Sequence, residues 1–256
     1  MDASPNRPPQ LVAFDLDDTL AASKSPISAQ MAALLSRLLA RVEVCVISGG
    51  QFGQFRAQVI DKLDESSPED LQRLHLMPAC GTQYYRFAGG AWRCVYSEDL
   101  SESEKQSALA ALERCARDLG YWESETWGPI LEDRSSQITF SALGQSAPVE
   151  RKMQWDPTGA KKLLLRERVA AELPDLEVRA GGSTSLDITR RGIDKAYGMR
   201  RLAELTQLGL SEMLFVGDRL DPGGNDYPVK QLGVPCIAVE RWHDTVPLIE
   251  GLLGRL

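Results

Sequence analysis

Three carboxylates fall within four positions in "FDLDDTL" (residues 14–20): Asp15, Asp17 and Asp18, directly after the apolar run "LVAF". Other apolar runs also end in polar groups. Ser48 closes "VCVIS", Asp218 closes "LFVGD", Asp226 follows in "DPGGND", and Lys195 stands in "GIDK". In open parallel sheets, ligands bind outside the carboxyl ends of the strands. If these ends converge, several carboxylates share one crevice with one lysine, and such a cluster needs a cation to offset its repulsion. Hard oxygen donors with no His or Cys beside them favour Mg²⁺. Taken singly, each residue has a plainer reading. Asp15, Asp17 and Asp18 can be turn acids, Ser48 a helix cap, Lys195 a surface lysine and Asp226 a cap for the next helix.

The elements that must position these groups follow from periodicity. Up to residue 82, apolar runs alternate with helical patterns: "LVAF", a helix over "ISAQMAALLSRLLA", "VEVCVI", a helix over "QFGQFRAQVIDKL", then "LHLMPA". The same alternation returns from Asp194, with a helix over "KAYGMRRLAELTQL", the run "MLFVGD", a short helix near "NDYPVKQL" and the run "VPCIAV". This is βαβ order, which predicts a doubly wound, Rossmann-like α/β domain around a parallel sheet. Between them the texture changes. "TQYYRFAGGAWRCVY" reads as a hairpin around Gly89 and Gly90, "SESEKQSALAALERCARDL" as a capped amphipathic helix and "SSQITFSAL" as a strand. "DPTGAKKLLLRERVAAEL" reads as a helix and "EVRAGGSTSLDIT" as a second hairpin. The expected organisation is a core domain over residues 1–83 and 189–256, interrupted by an α+β cap over 84–188.

Composition narrows the partners. A chain of 256 residues, 43% hydrophobic and 25% charged, has the makeup of a globular protein with a real core. No run reaches the length of a membrane span, and "MDASPNRPPQ" lacks the apolar centre of a signal peptide, so a cytoplasmic location away from membranes is expected. The net charge of −7 argues against nucleic acid and anionic membranes. Five scattered cysteines without a CxxC pair suggest neither a disulfide framework nor a zinc site. His75 and His243 adjoin no motif and read as structural or surface groups.

Together, "DLDDT", the Ser48 strand end, Lys195 and "GDRLDPGGND" resemble the four motifs of the haloacid dehalogenase superfamily, in its branch with a large α/β cap (subfamily IIB). Within it, "ISGGQF", "ILEDRSSQITFSALGQS", "GGSTSLDI", "GIDK" and "DPGGND" resemble the eukaryotic-type phosphomannomutase family in order and approximate spacing. The resemblance implies phosphoryl transfer through an aspartyl-phosphate, with Asp15 as nucleophile and Asp17 as general acid/base. It further implies Mg²⁺ held by Asp15, the Asp17 backbone carbonyl and Asp218, with Asp226 close behind. Ser48 and Lys195 would contact the phosphoryl group. Alternation along an extended strand end places positions 15 and 17 on one face, as paired work requires. Asp18 stands where glycine is common and reads as a turn-capping acid. For substrate, the resemblance directs attention to Gly49, Asn225, Arg134, Lys152, Ser185 and Asp187, with a small sugar phosphate as ligand and a homodimer through the cap as the expected assembly.

The departures bear on the reaction. Gln145 and Trp127 stand where arginines are expected, and Lys152 (with Arg151 beside it) and Lys24 replace two others. A mutase must grip the distal phosphate of a bisphosphate intermediate. Two lost guanidinium contacts weaken that grip by roughly 2–6 kcal/mol, unless Lys24, Lys152, Arg151 or Arg86 substitutes. Hydrolysis needs no such clamp, so a sugar-phosphate phosphatase is the expectation, with phosphomannomutase as its alternative and an inactive phosphate-binding protein as a third reading. A receiver domain would be about half this length, and a dinucleotide-binding enzyme would need GxGxxG where "DLDDTL" stands.

Overall fold

The computed structural model describes residues 8–256; the N-terminal stretch read for a leader falls mostly on residues 1–7, outside the described residues. In chain order the elements are β1 (Leu11–Phe14), α1 (Ala29–Leu39), β2 (Glu43–Ile47), α2 (Phe52–Gln58), α3 (Pro68–Leu71), β3 (Leu74–Met77), β4 (Gln83–Ala88) and β5 (Ala91–Ser97). Then come α4 (Glu102–Asp118), β6 (Leu131–Asp133), β7 (Ile138–Ser141), α5 (Val149–Trp155), α6 (Ala160–Glu172), β8 (Leu176–Ala180) and β9 (Ser185–Arg190). The chain closes with α7 (Lys195–Thr206), β10 (Met213–Gly217), α8 (Tyr227–Leu232), β11 (Cys236–Ala238) and α9 (Trp242–Leu253). Two compact units result: one ends at Ser97 and resumes at Asp194, and the other spans Glu98–Ile193.

The first unit is a seven-stranded sheet in the order β11-β10-β1-β2-β3-β4-β5, parallel from β11 to β3. Every residue of β1 is buried because both faces are covered. Val12 and Phe14 pack with Met31, Leu35 and Leu38 of α1 and with Ile249 of α9, whereas Leu11 and Ala13 pack with Met199 and Leu202 of α7 and with Val229 of α8. α1 starts at Ser28, whose hydroxyl accepts the Met31 N–H, and buries Met31, Leu34, Leu35 and Leu38 at helical spacing. One close approach sets the position of α7. Gly81, in the left-handed region at φ 88°, lies against Gly198 of α7, where any Cβ would collide with the Ile47 side chain and the Cys80 carbonyl.

The hairpin around Gly89 and Gly90 forms, but it belongs to the core sheet rather than to the insert, because β4 pairs antiparallel with β3 through His75–Arg86 and Leu76–Tyr85. The first boundary therefore moves from 83/84 to Ser97/Glu98. The second moves from 188/189 to Ile193/Asp194, since β9 continues its pairing with β8 through Arg190. The helix expected over "QFGQFRAQVIDKL" stops at Gln58, and Ile60–Lys62 forms a separate 3₁₀ turn. Helix α9, in which Pro247 breaks the usual sequence signature, was not expected.

The second unit is a four-stranded antiparallel sheet, β6-β7-β9-β8, with α4 and α6 packed on one face. α4 begins in a capping box between Ser101 and Glu104. Ile138, Phe140, Leu186, Ile188 and Val178 enter the shared core with Leu112 and Leu165, leaving the alternate residues Thr139, Ser141, Ser185 and Asp187 for the other face. Among the described residues no helix is long and apolar enough to cross a membrane.

At the starts of the core strands lies a buried polar chain. His75 Nδ1 bonds Tyr84 Oη at 2.8 Å and Nε2 bonds Glu43 Oε2 at 2.7 Å, while Arg86 reaches His75, Tyr84 Oη and the Gln72 carbonyl. Burial, opposed by the Glu43 contact and helped by Arg86, pushes the imidazole below its ordinary value, so His75 stays neutral in the fold. The unfolded chain then binds the extra proton, and stability drops as pH falls below about 6.5. Between about pH 7 and pH 5.5, wild type should lose more stability in urea denaturation than His75→Gln, by at most about 1.4 kcal/mol per pH unit. Equal slopes would assign the titration elsewhere.

Candidate active site

The ends of β1, β10 and α7 bring the expected core residues together. Asp15 is the first residue beyond β1, its N–H donating to the Val216 carbonyl of β10 at 3.0 Å. Lys195 is the first residue of α7, which Asp194 caps by accepting the Tyr197 N–H at 2.9 Å. The Lys195 ammonium, 1% exposed, lies 2.5 Å from Asp15 Oδ1 and 2.5 Å from Asp226 Oδ1. The other oxygen of Asp226 accepts the Arg219 N–H at 3.1 Å. Asp226 thus fixes the lysine, which in turn fixes Asp15.

The electrostatics follow from that burial. Burial lifts the Asp15 carboxyl well above the usual carboxylate range, Asp226 and Asp218 add to the lift, and Lys195 opposes it. Burial also raises Asp218, again with help from Asp226. Burial would lower Lys195, but its two carboxylates outweigh the cost and keep it cationic. Carboxylate oxygens of Asp15, Asp218 and Asp226 come within 4.8 Å of one another. With all three carboxylates ionised, one ammonium leaves two negative charges uncompensated, and an all-oxygen donor set of that charge fits a hard divalent ion such as Mg²⁺. With Asp226 committed to Lys195 and a backbone N–H, Asp15 and Asp218 are the side-chain ligands best placed to hold it.

Asp17 answers to a different set of neighbours. The extended alternation expected through residue 17 stops at Phe14. A turn begins at Leu16, with Asp18 in the left-handed region at φ 63° and the Leu20 N–H donating to the Leu16 carbonyl at 3.0 Å. Positions 15 and 17 therefore do not continue one strand face. The Asp17 carboxylate meets Lys24, Gln54 and Gln58. Burial would raise its carboxyl, but Lys24 and the Gln58 amide outweigh burial and hold it below the usual range. Asp18 is exposed and accepts the Ser23 N–H at 3.2 Å, the turn-capping part expected of it.

Ser48, buried at the end of β2, accepts the Gly50 N–H at 3.2 Å and does not cap α2, whose N-cap is Gln51. Beside it, Gly49 has open space where a side chain would project. Asn225 is exposed next to the buried Asp226. In the second unit, Asp187 Oδ1 accepts from Gln137 Nε2 at 2.8 Å and Thr139 Oγ1 at 2.7 Å, and Ser185 lies on the same strand face. Arg134 is tied to Glu132 at 2.7 Å, and the Lys152 ammonium donates to the Gln145 carbonyl at 2.7 Å. Arg86, considered as a replacement cation, belongs to the core unit and is spent on the His75 chain. Gln54, Gln58, Gln137 and Thr139 escaped the sequence reading. The first two were findable, since glutamines four apart in "QFRAQ" share a helix face.

Removing the lysine tests this arrangement. Lys195→Met leaves Asp15 and Asp226 buried without their counter-charge and should cost about 3–5 kcal/mol in urea denaturation near neutral pH. A loss under about 1 kcal/mol would mean that the carboxylates simply take up protons instead.

Comparison with known proteins agrees with this geometry. The family model described as "Eukaryotic phosphomannomutase" matches residues 31–253. The chain is 26% identical over 237 residues to phosphomannomutase 1 of Homo sapiens, covering 86% of this chain and 82% of that protein. In fold it resembles an IMP-nucleotidase of Plasmodium falciparum (TM-score 0.71, 14% identity, 98% of this chain and 70% of that one). It also resembles a haloacid dehalogenase-like hydrolase from Bacteroides thetaiotaomicron (TM-score 0.62, 17% identity, 95% and 99%). The chain belongs to the eukaryotic phosphomannomutase family and is a phosphotransferase of the haloacid dehalogenase superfamily.

Proposed function

We propose that this enzyme interconverts mannose 1-phosphate and mannose 6-phosphate. The observation that carries the proposal is the buried Asp15–Lys195–Asp226 chain at the carboxyl ends of β1 and β10, in a chain whose family model is that of phosphomannomutases. That membership supports the mutase over the hydrolase expected from the missing guanidinium groups.

In this reading an Asp15 carboxylate oxygen attacks one phosphorus of mannose 1,6-bisphosphate while the bond from that phosphorus to the sugar oxygen breaks, leaving a mannose monophosphate. The leaving oxygen keeps its electron pair and takes a proton from Asp17. In the return transfer Asp17 accepts the proton of the incoming hydroxyl, and the aspartyl–phosphorus bond returns its pair to Asp15. Lys195 stays charged throughout and holds the nucleophile in place, while Ser48 at the end of β2 donates to a phosphoryl oxygen. Mg²⁺ held by Asp15, Asp218 and the Asp17 backbone carbonyl would supply charge neutralisation on the transferring group. The polar face of the second unit, with Ser185 and with Asp187 pre-set by Gln137 and Thr139, supports sugar recognition.

A second reading, hydrolysis of a sugar phosphate, is favoured by the second unit's cations. Arg134 already pairs with Glu132, Lys152 already binds a carbonyl, and Gln145 and Trp127 carry no charge. Phosphorus NMR of mannose 1-phosphate with Mg²⁺ and a catalytic amount of mannose 1,6-bisphosphate separates the two. Formation of the 6-phosphate, dependent on the bisphosphate, is expected; inorganic phosphate alone would replace the mutase with the hydrolase.

A further inference from the structure

Among the described residues, every N–H donor to the Asp17 carboxylate comes from three residues outside the superfamily motifs. Lys24 donates its backbone N–H to Oδ1 and its ammonium to Oδ2, both at 2.8 Å. Gln54 Nε2 donates to Oδ2 at 3.1 Å, and Gln58 Nε2 to Oδ1 at 3.3 Å. The two glutamines sit one turn apart on α2, and Lys24 also donates to Gln54 Oε1 at 3.0 Å, so the donors brace one another.

Two further features show that the fold gives up local stability to build this cradle. Lys24 occupies the left-handed region at φ 58°, a conformation unfavourable for a side chain of its kind, and there both its N–H and its ammonium reach the same carboxylate. Gln58 is buried, and its second amide hydrogen goes to the Ser25 carbonyl at 2.6 Å. Its own carbonyl oxygen, buried in turn, has no partner among the described residues. Flipping the amide would satisfy nothing, because two acceptors already face the nitrogen. The Gln54 amide, the flexible end of its side chain, packs over Gly50.

We infer that Lys24, Gln54 and Gln58 are positioning residues that hold the Asp17 side chain in place for proton transfer. The inference rests on the reading of Asp17 as acid/base in the proposed function. It differs from a purely structural role in one respect: it must depend on the leaving group. When a hexose bisphosphate phosphorylates Asp15, the departing sugar oxygen needs the Asp17 proton. When acetyl phosphate does so, acetate departs with its electron pair and needs none.

The test is rapid-quench measurement of enzyme phosphorylation by mannose 1,6-bisphosphate and by acetyl phosphate, with Mg²⁺ at one pH, for wild type, Gln58→Met and the half-buried Gln54→Met. Each variant should lose about tenfold or more in rate with the sugar donor relative to its change with acetyl phosphate, given the 10²–10⁴-fold worth of acid–base catalysis. Equal losses with both donors, no loss, or a gain with the sugar donor would overturn the positioning role while leaving the proposed function intact. If neither donor phosphorylates wild type, the proposed function falls and the inference with it.

Discussion

The site is organised by one buried ammonium. Lys195 sits between Asp15 and Asp226 with almost no access to water, so each charge depends on the others for its solvation. That demand reaches into the fold. β1 must deliver Asp15 at the same level as the start of α7, and α7 can lie there because Gly81 and Gly198 let the helix approach the turn after β3. Asp226, arriving from the loop after β10, takes a backbone N–H with its second oxygen and so cannot swing away from the lysine.

The same interaction separates the two carboxylates of the first motif. Burial of Asp15, helped by Asp226 and Asp218 and opposed by Lys195, favours its protonated form. Asp17 is surrounded by donors, which favours its ionised form. In the absence of ion and substrate these environments run opposite to the proposed tasks, which need an ionised nucleophile and a protonated acid. A divalent ion held by Asp15 and Asp218 would relieve the repulsion that lifts both, so ion binding and ionisation of the nucleophile are linked. A phosphoryl group arriving near Asp17 would act in the opposite sense.

The core was legible because its physics is local. Strands buried on both faces give continuous apolar runs, and chemistry at their carboxyl ends leaves polar residues directly after those runs, as at Asp15, Ser48 and Asp218. What escaped was set by tertiary contact. The hairpin "TQYYRFAGGAWRCVY" has the same alternation whether it joins the core or the insert, and only its pairing through His75 and Leu76 decides. The turn after Phe14 was hidden behind a pattern that also fits an extended strand. Arg134 and Lys152 were read by charge alone, whereas their neighbours Glu132 and the Gln145 carbonyl determine what they do.

The central claim is that Asp15 carries the phosphoryl group between its two transfers. Its most direct test mixes the enzyme and Mg²⁺ with radiolabelled mannose 1,6-bisphosphate, quenches in acid within the first turnover, and locates the label by peptide mapping. A hydroxylamine-labile phosphate on the Asp15 peptide, lost in Asp15→Asn, is the expected result. A label elsewhere, or turnover with no labelled enzyme in wild type and unchanged turnover in Asp15→Asn, would contradict it.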